Sequence, residues 1–570
     1  MPLTRLFICF FCIFISVKIT FGETLRIGES MRWRTLEPVT AKFPVEKRIS
    51  SLLYQRMFLY DKNVFDKRHR CLKPYLVKVY KADVLNGRYI LDFKTPDEIG
   101  PKDLEYTVKV MNHSKTKYHQ PLFCPYWDIS NKRKWFIFSE QLPYRAGIIL
   151  KKGVSLTKAN FHLVKKNMLG KEFIDKSLDK NFGIENDQTK EIINNASTGH
   201  YQIELIEKSF LALTGRKNKG NIDKVRIDIA SESSLRDRLK QPKRSEASVD
   251  MIPEMNIKEV STYEESHFEG RYKVSTPASN NFCMIGFNYH ASTPESVRNL
   301  FHKKIFRQFI GLTINVRILF ESTLKMSQGH GLLLCGPLYR RAGIEQIDNY
   351  IKFCAATRFI RGSNFDSKYF SKYISSLEKQ IRGMQYVKTN SDGALLFHRR
   401  PLKLVLIYPM FDMMSADMNN VAISIKERLE NKGITLSTSG ISTREAWDNR
   451  IKNKDFDLIV FNGFYDYSYD ITGYFEKNNP LNLCGLPKDA SEKVQDLIKK
   501  YRFSGNDAST DKTTILMKLN ALLSNESIGI FLWNLKYKTV YRSALSFGPD
   551  QSGINDLDLF QGIDTWNISE

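Results

Sequence analysis

The feature that most constrains the fold is an alternation of strand and helix patterns over residues 402–461. The apolar run Leu402-Lys-Leu-Val-Leu-Ile-Tyr408 predicts a buried strand. The next segment has apolar residues at helical spacing and ends near Gly433, a residue type that tolerates the left-handed cap of a helix. A second strand, a helix and a third strand at 456–461 follow. This order predicts an α/β unit with a largely parallel sheet.

Other segments predict more structure on the N-terminal side of this unit. Thr293 and Pro294 are expected to open a helix, because threonine caps helices and proline suits their first turn. Short alternating strands are predicted between residues 80 and 150. Apolar residues make up 42% of the chain, enough for two or more packed cores. An earlier helix is predicted over 48–57, with a buried face of Ile49, Leu52, Leu53 and Met57.

The N-terminus has the pattern of a secretory signal peptide. Arg5 supplies a positive charge, and Leu6 to Val17 form a continuous apolar run. Small residues follow, so we expect cleavage near Gly22 and a signal peptide over residues 1–22. The alternative is a membrane anchor, but the run is shorter than the roughly 20 apolar residues that cross a bilayer. The expected location is therefore periplasmic or extracellular.

The chain is strongly basic, with a formal net charge of +24. Removal of Arg5 and Lys18 with the signal peptide leaves +22. Such a charge favours anionic partners, including nucleic acid or an anionic envelope surface. The basic residues are interspersed with acidic ones, however, and no nucleic-acid-binding motif is present. We therefore expect no nucleic-acid partner.

Six cysteines follow the predicted cleavage site, and none forms a CxxC pair or a zinc-finger spacing with histidine. In an exported protein one or two disulfides are compatible with this number. Cys71 with Cys124 is the first pair to test, and buried free thiols are the alternative. No cofactor or metal site is expected. A lone histidine in a loop, His330, is a weak candidate for a metal ligand.

A series of short motifs resembles the extracellular solute-binding proteins of the oligopeptide/dipeptide/nickel type, which serve ABC importers. No single motif is specific, but together they occur in the family's order along most of the chain. In chain order they are Leu36-Glu-Pro38, Leu53-Tyr-Gln-Arg-Met-Phe-Leu-Tyr-Asp61, Ser197-Thr-Gly-His-Tyr201 (family pattern "GTGPY"), Ile222-Asp-Lys-Val-Arg-Ile-Asp228, Val249-Asp-Met251, Ile285-Gly-Phe-Asn288, the helix from Val297 to Ile310, and Asp455-Phe-Asp457.

The chain also departs from the family pattern. His200 stands where "GTGPY" has proline, and the family's "DYpDP" becomes Asp466-Tyr-Ser-Tyr-Asp470 without a proline. These changes leave the fold inference intact but put the identity of the ligand in doubt.

The resemblance implies a two-lobed, class II periplasmic-binding-protein fold of the α/β class. On this basis lobe I is expected over residues 23–275, with an inserted subdomain at about 60–160. Lobe II is expected over 276–526, and residues 527–570 are expected to return to lobe I.

The resemblance also implies a ligand site between the lobes. In peptide-binding members an aspartate after the last strand of the second lobe pairs with the ligand's α-ammonium group, and here that position falls on Asp466. The flanking Phe464, Tyr465 and Tyr467 would supply tolerant aromatic contacts. The alternative is a solvated aspartate in a surface loop.

In the first lobe, Met31, Arg32 and Trp33 lie where the resemblance places a ligand-facing loop. Trp33 is expected either in a side-chain pocket or in the core. Arg32 is expected either to meet a ligand carboxylate or to be an ordinary surface arginine.

The expected function is capture of a small solute, foremost a peptide, and its delivery to an ABC transporter permease by a monomeric protein. The alternatives are a surface adhesin or sensor on the same fold, or a member that binds nickel, haem or sugar. An enzyme is not expected, because the sequence has no GxSxG, HExxH or GxxxxGK[ST] motif. Asp455 and Asp457 resemble a catalytic pair, but a turn at a strand end explains them.

Overall fold

The structure is a computed structural model. It describes residues 23–60, 72–111, 136–150, 162–166, 187–255, 271–275, 281–319, 331–333, 367–464, 471–535, 538–547 and 559–568, apart from short internal gaps at 34, 39–40, 42–43, 84–87, 139–140, 217–220, 242–244, 246–247, 292, 294, 411–414, 478, 480, 504–508 and 561. The predicted signal peptide and the Cys71–Cys124 pair therefore lie outside the described residues.

The strands are numbered in chain order. They are β1 (Glu23–Glu29), β2 (Phe58–Tyr60), β3 (Leu72–Pro74), β4 (Val77–Asp83), β5 (Arg88–Phe93), β6 (Phe136–Phe138), β7 (Arg145–Ile149), β8 (Tyr201–Ile206), β9 (Phe210–Gly215), β10 (Ile222–Ile229), β11 (Met251–Met255), β12 (Tyr272–Ser275), β13 (Asn281–Phe287), β14 (Gly331–Leu333), β15 (Val387–Thr389), β16 (Leu395–Phe397), β17 (Arg400–Pro401), β18 (Lys403–Pro409), β19 (Thr435–Ile441), β20 (Leu458–Phe464), β21 (Gly529–Phe531), β22 (Trp533–Leu535), β23 (Lys538–Arg542), β24 (Leu545–Ser546) and β25 (Asn567–Ile568).

The α-helices are numbered in the same way. They are α1 (Pro44–Leu53), α2 (Pro101–Met111), α3 (Asp187–Ala196), α4 (Glu232–Leu239), α5 (Lys304–Ile314), α6 (Val316–Ile318), α7 (Ser367–Arg382), α8 (Ser415–Glu430), α9 (Arg444–Lys452), α10 (Ser491–Phe503) and α11 (Ser509–Asn525). Short 3₁₀ helices occupy Val297–His302, Thr472–Tyr474 and Ile563–Thr565. Among the described residues, none of these helices combines the length and apolar character needed to span a bilayer.

A seven-stranded sheet organises the N-terminal part of the chain, in the order β12-β23-β11-β1-β10-β9-β8. Its centre is parallel, because β1 pairs in parallel with both β10 and β11. The alternate residues Leu25 and Ile27 of β1 point into the first hydrophobic core, which also contains Leu52 and Leu53 of α1. Period-two burial of this kind is what a sheet with one face against a helical layer requires.

A five-stranded sheet organises the second half, in the order β19-β18-β20-β13-β21. The strands β18, β19 and β20 are parallel to one another, and α8 and α9 connect them. The alternation that the sequence shows over 402–461 is therefore confirmed as an α/β unit. Apolar residues of α8, among them Val421, Ile425 and Leu429, are fully buried in the second core.

Two predicted helices differ from the observed ones. The helix expected over 48–57 is α1, which begins at Pro44 and ends at Leu53, although Met57 is still buried. The helix expected to open at Thr293-Pro294 begins instead as a 3₁₀ helix at Val297. There the Ser296 hydroxyl, not threonine, accepts a hydrogen bond from the Arg298 amide at 3.4 Å.

Smaller sheets complete the described part of the chain. The order β4-β5-β7-β6 forms a four-stranded antiparallel sheet inside the region expected to be an inserted subdomain. We propose that this sheet is the centre of that subdomain, and that the two large sheets are the centres of the two lobes. Because β21 still pairs with β13, we propose that lobe II extends to about residue 531 rather than 526.

The Ser197–Tyr201 loop is held against the end of α1. The Gly199 amide donates a hydrogen bond to the Leu53 carbonyl at 2.7 Å, and the Thr198 hydroxyl accepts one from the Gln55 amide at 2.9 Å. A Cβ atom on Gly199 would lie 2.3 Å from the Leu52 carbonyl oxygen. Glycine is therefore required here by the close approach of two backbones.

We predict that Gly199→Ala lowers the free energy of unfolding by about 3 kcal/mol, because backbone atoms must move to admit the methyl group. Urea denaturation of the mature chain measures the effect. The matched control is Gly383→Ala, whose Cβ would meet only the Gln380 and Lys379 carbonyl oxygens at 3.4 and 3.6 Å. Equal losses in the two variants would contradict the close approach at Gly199.

Candidate functional site

Two stretches of chain cross between the large sheets, and both are short. The first links Ser275 at the end of β12 to Asn281 at the start of β13. A chain spans at most about 3.5 Å per residue, so these two Cα atoms lie within about 21 Å of each other. The second links Phe531 to Lys538, within about 25 Å by the same limit. The edge of the first sheet and the edge of the second sheet that these crossings join are therefore close to each other.

Both crossings join the first sheet at the edge where its parallel strands end. Ser275 pairs with Thr539, and Met255 at the end of β11 pairs with Lys538. Since β1 and β10 run parallel to β11, their carboxyl ends lie at this same edge. The chain thus leaves and re-enters the first sheet at the same edge as Glu29, the last residue of β1.

The second sheet has the same arrangement. Phe464 at the end of β20 pairs with Asn281, the residue at which the first crossing arrives. The strand β21 is antiparallel to β13 and runs toward this edge before the second crossing begins. The carboxyl ends of β18, β19 and β20 therefore lie at the edge that faces the first sheet.

The strand order adds a further constraint on this edge. From β18 the chain passes to β19 on one side, and from β19 it passes back over β18 to β20 on the other side. The carboxyl ends of β18 and β20 consequently flank a topological switch point, where open α/β sheets bind their ligands. The cleft between the two carboxyl edges is the candidate functional site.

A buried ionic cluster lies at the first-sheet side of the cleft. Arg48 of α1 donates two hydrogen bonds to Glu29, with Nε–Oε1 2.8 Å and Nη2–Oε2 2.7 Å. Its Nη1 lies 3.2 Å from Oε1 of Glu254, the penultimate residue of β11. The three side chains are only 1%, 4% and 6% exposed. This Arg48 cluster therefore ties α1 to the carboxyl ends of two strands.

The environment of the cluster stabilises the charged form of Arg48 and destabilises the charged form of Glu29. Burial alone would lower the pKa of Arg48, but Glu254 and Glu29 together raise it above its ordinary value. Burial raises the pKa of Glu29, Arg48 opposes this, and the charge of Glu254 adds to it. The guanidinium thus stays charged, and its removal would leave two carboxylates buried together.

A second buried arginine holds the chain at the start of β21. Arg307 of α5 donates from Nη2 to the Glu526 carbonyl at 2.7 Å and from Nη1 to the Phe301 carbonyl at 2.7 Å. Its Nε also reaches the Ser527 carbonyl at 3.2 Å. Ser527 has a positive φ of 50°. Arg307 therefore fixes the backbone immediately before β21, from which the chain crosses back to the first sheet.

The predicted residues of the first lobe follow β1 directly, at the cleft edge. Trp33 is 3% exposed and packs in the first core, as the core alternative expected. Met31 is half-buried against the same core, and Arg32 is exposed. A ligand contact by any of the three stays a prediction. Of the three, Arg32 has the exposure that a direct ligand contact needs.

The predicted residues of the second lobe are only partly within the described chain. Phe464 is the last residue of β20, so the chain continues from the cleft edge into Tyr465, Asp466 and Tyr467. These three residues, like His330, lie outside the described residues. The role of Asp466 as a ligand anchor stays a prediction.

The two aspartates that resemble a catalytic pair have separate structural partners. Asp457 accepts hydrogen bonds from Arg298 Nε and from the Val405 amide, both at 2.9 Å. Asp455 pairs with Arg450. Both aspartates precede β20 and so lie at the edge away from the cleft. Within the described part of the chain, no group of three or more His, Cys, Asp or Glu side chains could hold a metal ion.

The two described cysteines are also accounted for by packing. Cys283 of β13 and Cys484 are both buried, and neither forms a disulfide. Burial raises the pKa of Cys484 to about 12, so its thiol stays protonated at neutral pH.

Solved structures of similar shape exist although sequence matches do not. No protein-family model and no curated protein matches the chain. The oligopeptide-binding protein AppA from Bacillus subtilis, in complex with a nonapeptide, is similar with a TM-score of 0.69 at 15% identity, over 96% of this chain and 99% of that one. The murein tripeptide binding protein MppA from Escherichia coli also gives 0.69, at 12% identity over 96% and 99% of the two chains.

This chain has the two-lobed fold of periplasmic binding proteins. The fold class expected from the sequence is thereby confirmed, including its α/β character. An unliganded open form of MppA is less similar, with a TM-score of 0.59 at 13% identity over 96% of this chain and 98% of that one.

The Arg48 cluster and Arg307 were not predicted from the sequence. One signal for Arg48 exists: it precedes Leu52 by four residues and thus falls on the apolar face of the predicted helix. A charged residue in that position requires a buried counter-charge. Its partners, Glu29 and Glu254, are distant in sequence and only the sheet pairing brings them together.

We predict that Arg48→Met lowers the free energy of unfolding by about 3–5 kcal/mol, because two buried carboxylates lose their counter-charge. The triple variant Glu29→Met, Arg48→Met, Glu254→Met removes all three charges and should recover most of this loss. Chemical denaturation measures both. A triple variant as unstable as Arg48→Met would show that the loss comes from packing and not from charge.

Proposed function

We propose that this protein captures a small solute, foremost a peptide, between its two lobes and delivers it unchanged to the permease of an ABC importer. The observation that carries this proposal is the attachment of both crossings at the carboxyl edges of the two sheets. This geometry supports a cleft that closes when the lobes rotate about two short segments. Closure expels water and gives a form that a permease can distinguish.

The structural similarities support a binding role. AppA carries a nonapeptide and MppA is named for a murein tripeptide, so this fold accommodates peptides in both. The existence of an open form of MppA is also consistent with motion between lobes. For this chain the peptide remains a proposal, as do the absence of catalysis, the monomeric state and the permease partner.

The proposed anchor of the peptide is Asp466. It follows Phe464 at the topological switch point by two residues. A carboxylate in a closed cleft would attract an α-ammonium group more strongly than a solvated one, because the effective dielectric constant is lower. Tyr465 and Tyr467 would supply aromatic surface to side chains of varied size.

The proposed location is outside the cytoplasmic membrane, after cleavage of the predicted signal peptide at residues 1–22. A permease partner in that membrane requires the cleft to face it. The surfaces at the opposite edges of the sheets would then face away from the membrane.

Native mass spectrometry of the purified mature protein tests the proposed ligand class. Closed clefts retain their solutes, so we expect a bound mass of peptide size that is released on denaturation. A bound nickel chelate, haem or sugar would select the corresponding alternative. A protein that shows no bound mass and no saturable binding of any peptide in a mixed library would contradict the proposal.

We predict that Asp466→Ala weakens binding of the peptide identified in this way by about tenfold or more, because a charge-assisted hydrogen bond contributes about 1.5–3 kcal/mol. Isothermal titration measures the affinity. The control is Asp392→Ala, which removes an exposed carboxylate in the turn before β16. Equal affinities for wild type and Asp466→Ala would remove Asp466 as the anchor.

A further inference from the structure

A second surface on the molecule has an unusual backbone. Among the described residues, six non-glycine residues have positive φ, and three of them meet in the small sheet β15-β16-β17. These are Tyr386 (φ 69°), His398 (φ 50°) and Arg399 (φ 65°). Side chains disfavour this conformation, tyrosine and arginine especially. His398 and Arg399 form the two-residue turn between β16 and β17, which requires a positive φ at both positions, and Tyr386 lies in the turn before β15. These turns therefore place the three side chains at one end of the small sheet.

The strained residues present an aromatic platform. The rings of Tyr386 and His398 stack with centroids 4.2 Å apart and planes at 17°. The His398 amide also donates to the Tyr386 carbonyl at 2.9 Å. Tyr386 is 53% exposed, more than any other large hydrophobic residue in the described chain. The stack therefore stands at the surface with one aromatic side chain open to solvent.

Cations surround this platform. Residues 367–403 contain eight Lys and Arg but only two Asp and Glu. One of the two acids, Glu378, is already paired with Arg382 and Lys432. Lys388, Arg399, Arg400 and Lys403 are exposed, and none of these four pairs with a carboxylate among the described residues. Their charges are therefore available to an anionic partner.

Strand pairing brings Tyr386 and Arg400 together. Val387 pairs with Phe397, which pairs with Arg400, so the backbone positions of Tyr386 and Arg400 lie within about two strand spacings, or roughly 10 Å. Lys388 pairs with Leu396 and so lies on the other face of the small sheet. We name Tyr386, His398, Arg399 and Arg400 the distal platform.

The distal platform lies away from the cleft. Arg400 and Pro401 lead directly into β18, which begins at Lys403 and reaches the cleft edge at Pro409. Six residues of strand separate the two ends by about 20 Å. A partner on the distal platform would thus leave the cleft free to meet a permease.

We propose that the distal platform binds an anionic polysaccharide. The apolar face of a sugar ring stacks on Tyr386, and acidic groups along the polymer pair with Arg399 and Arg400. Charge complementarity and an exposed aromatic ring in one small area favour this occupant over a purely anionic surface, which needs no stacking platform. This role is separate from solute capture and does not depend on which solute the cleft binds.

The test compares binding of polygalacturonate, an acidic polysaccharide, with three other polymers. These are dextran, which has sugar without charge, poly-L-glutamate, which has charge without sugar, and oligo-dT, which has charge and bases. Bio-layer interferometry at low ionic strength measures affinity for the mature protein. Polygalacturonate should bind the most tightly. Equal binding of poly-L-glutamate, or tighter binding of oligo-dT, would overturn the assignment to a polysaccharide.

Two variants locate the site. Arg399→Gln with Arg400→Gln should weaken polygalacturonate binding about tenfold and make it less dependent on salt, because two cation contacts are lost. The charge-matched control is Lys452→Gln with Lys499→Gln, on exposed faces of α9 and α10, which should leave binding unchanged. Equal losses of affinity in the two double variants would show that binding depends only on net charge, and would overturn the site.

Tyr386→Asn tests the platform and the strain together. Asparagine tolerates a positive φ, so the variant should unfold at the same temperature as wild type or higher. Its affinity for polygalacturonate should fall about fivefold because the aromatic ring is lost. A variant that keeps full affinity would overturn the stacking role of Tyr386.

Discussion

The rest of the structure depends on how the two large sheets are joined. Both crossings are short, and both run between edges at which parallel strands end. A chain of this topology must therefore bring two carboxyl edges close together, whatever its loops do. At such edges the backbone groups that follow each strand, and the side chains there, are not engaged in sheet pairing. They are therefore available to a ligand. The cleft is thus a consequence of connectivity, and its specificity is left to the residues that follow each strand.

A buried arginine in each half of the molecule holds elements that lead to the crossings. Arg48 clamps β1 and β11 through Glu29 and Glu254, and Arg307 binds the carbonyls that precede β21. Each interaction lies within its own half of the molecule. Arg48 holds the cleft-side ends of β1 and β11, and Arg307 holds the start of β21 at the edge away from the cleft, so neither links the two sheets. If the protein works as proposed, the movement between the two lobes is confined to the two crossings. The distal platform lies at the opposite edge of the second sheet, where it would not interfere with that movement.

The sequence predicted the α/β fold because its signals are local. The residues around Gly433 show the helical and strand spacings of apolar residues directly. The order of the short family motifs along the chain predicts the two-lobed arrangement. Prediction failed where the interaction is distant in sequence: Glu29 and Glu254 are separated by more than half of the first lobe, and nothing in their neighbourhoods indicates a shared arginine. The start of the 297–314 helical segment also shifted, because Ser296 competes with Thr293 as a cap. In the site, the sequence predicted that Trp33 lies in the loop after β1. It left open whether Trp33 lines a ligand pocket or packs in the core, because that depends on packing against distant residues.

The central claim is that two lobes close over a solute in the cleft between the carboxyl edges. Small-angle X-ray scattering of the mature protein measures this most directly, first freed of solute by unfolding and refolding and then with its solute restored. The account predicts a smaller radius of gyration and a narrower distance distribution in the bound state. Identical scattering from the two states, with the solute bound at one site per molecule, would contradict it.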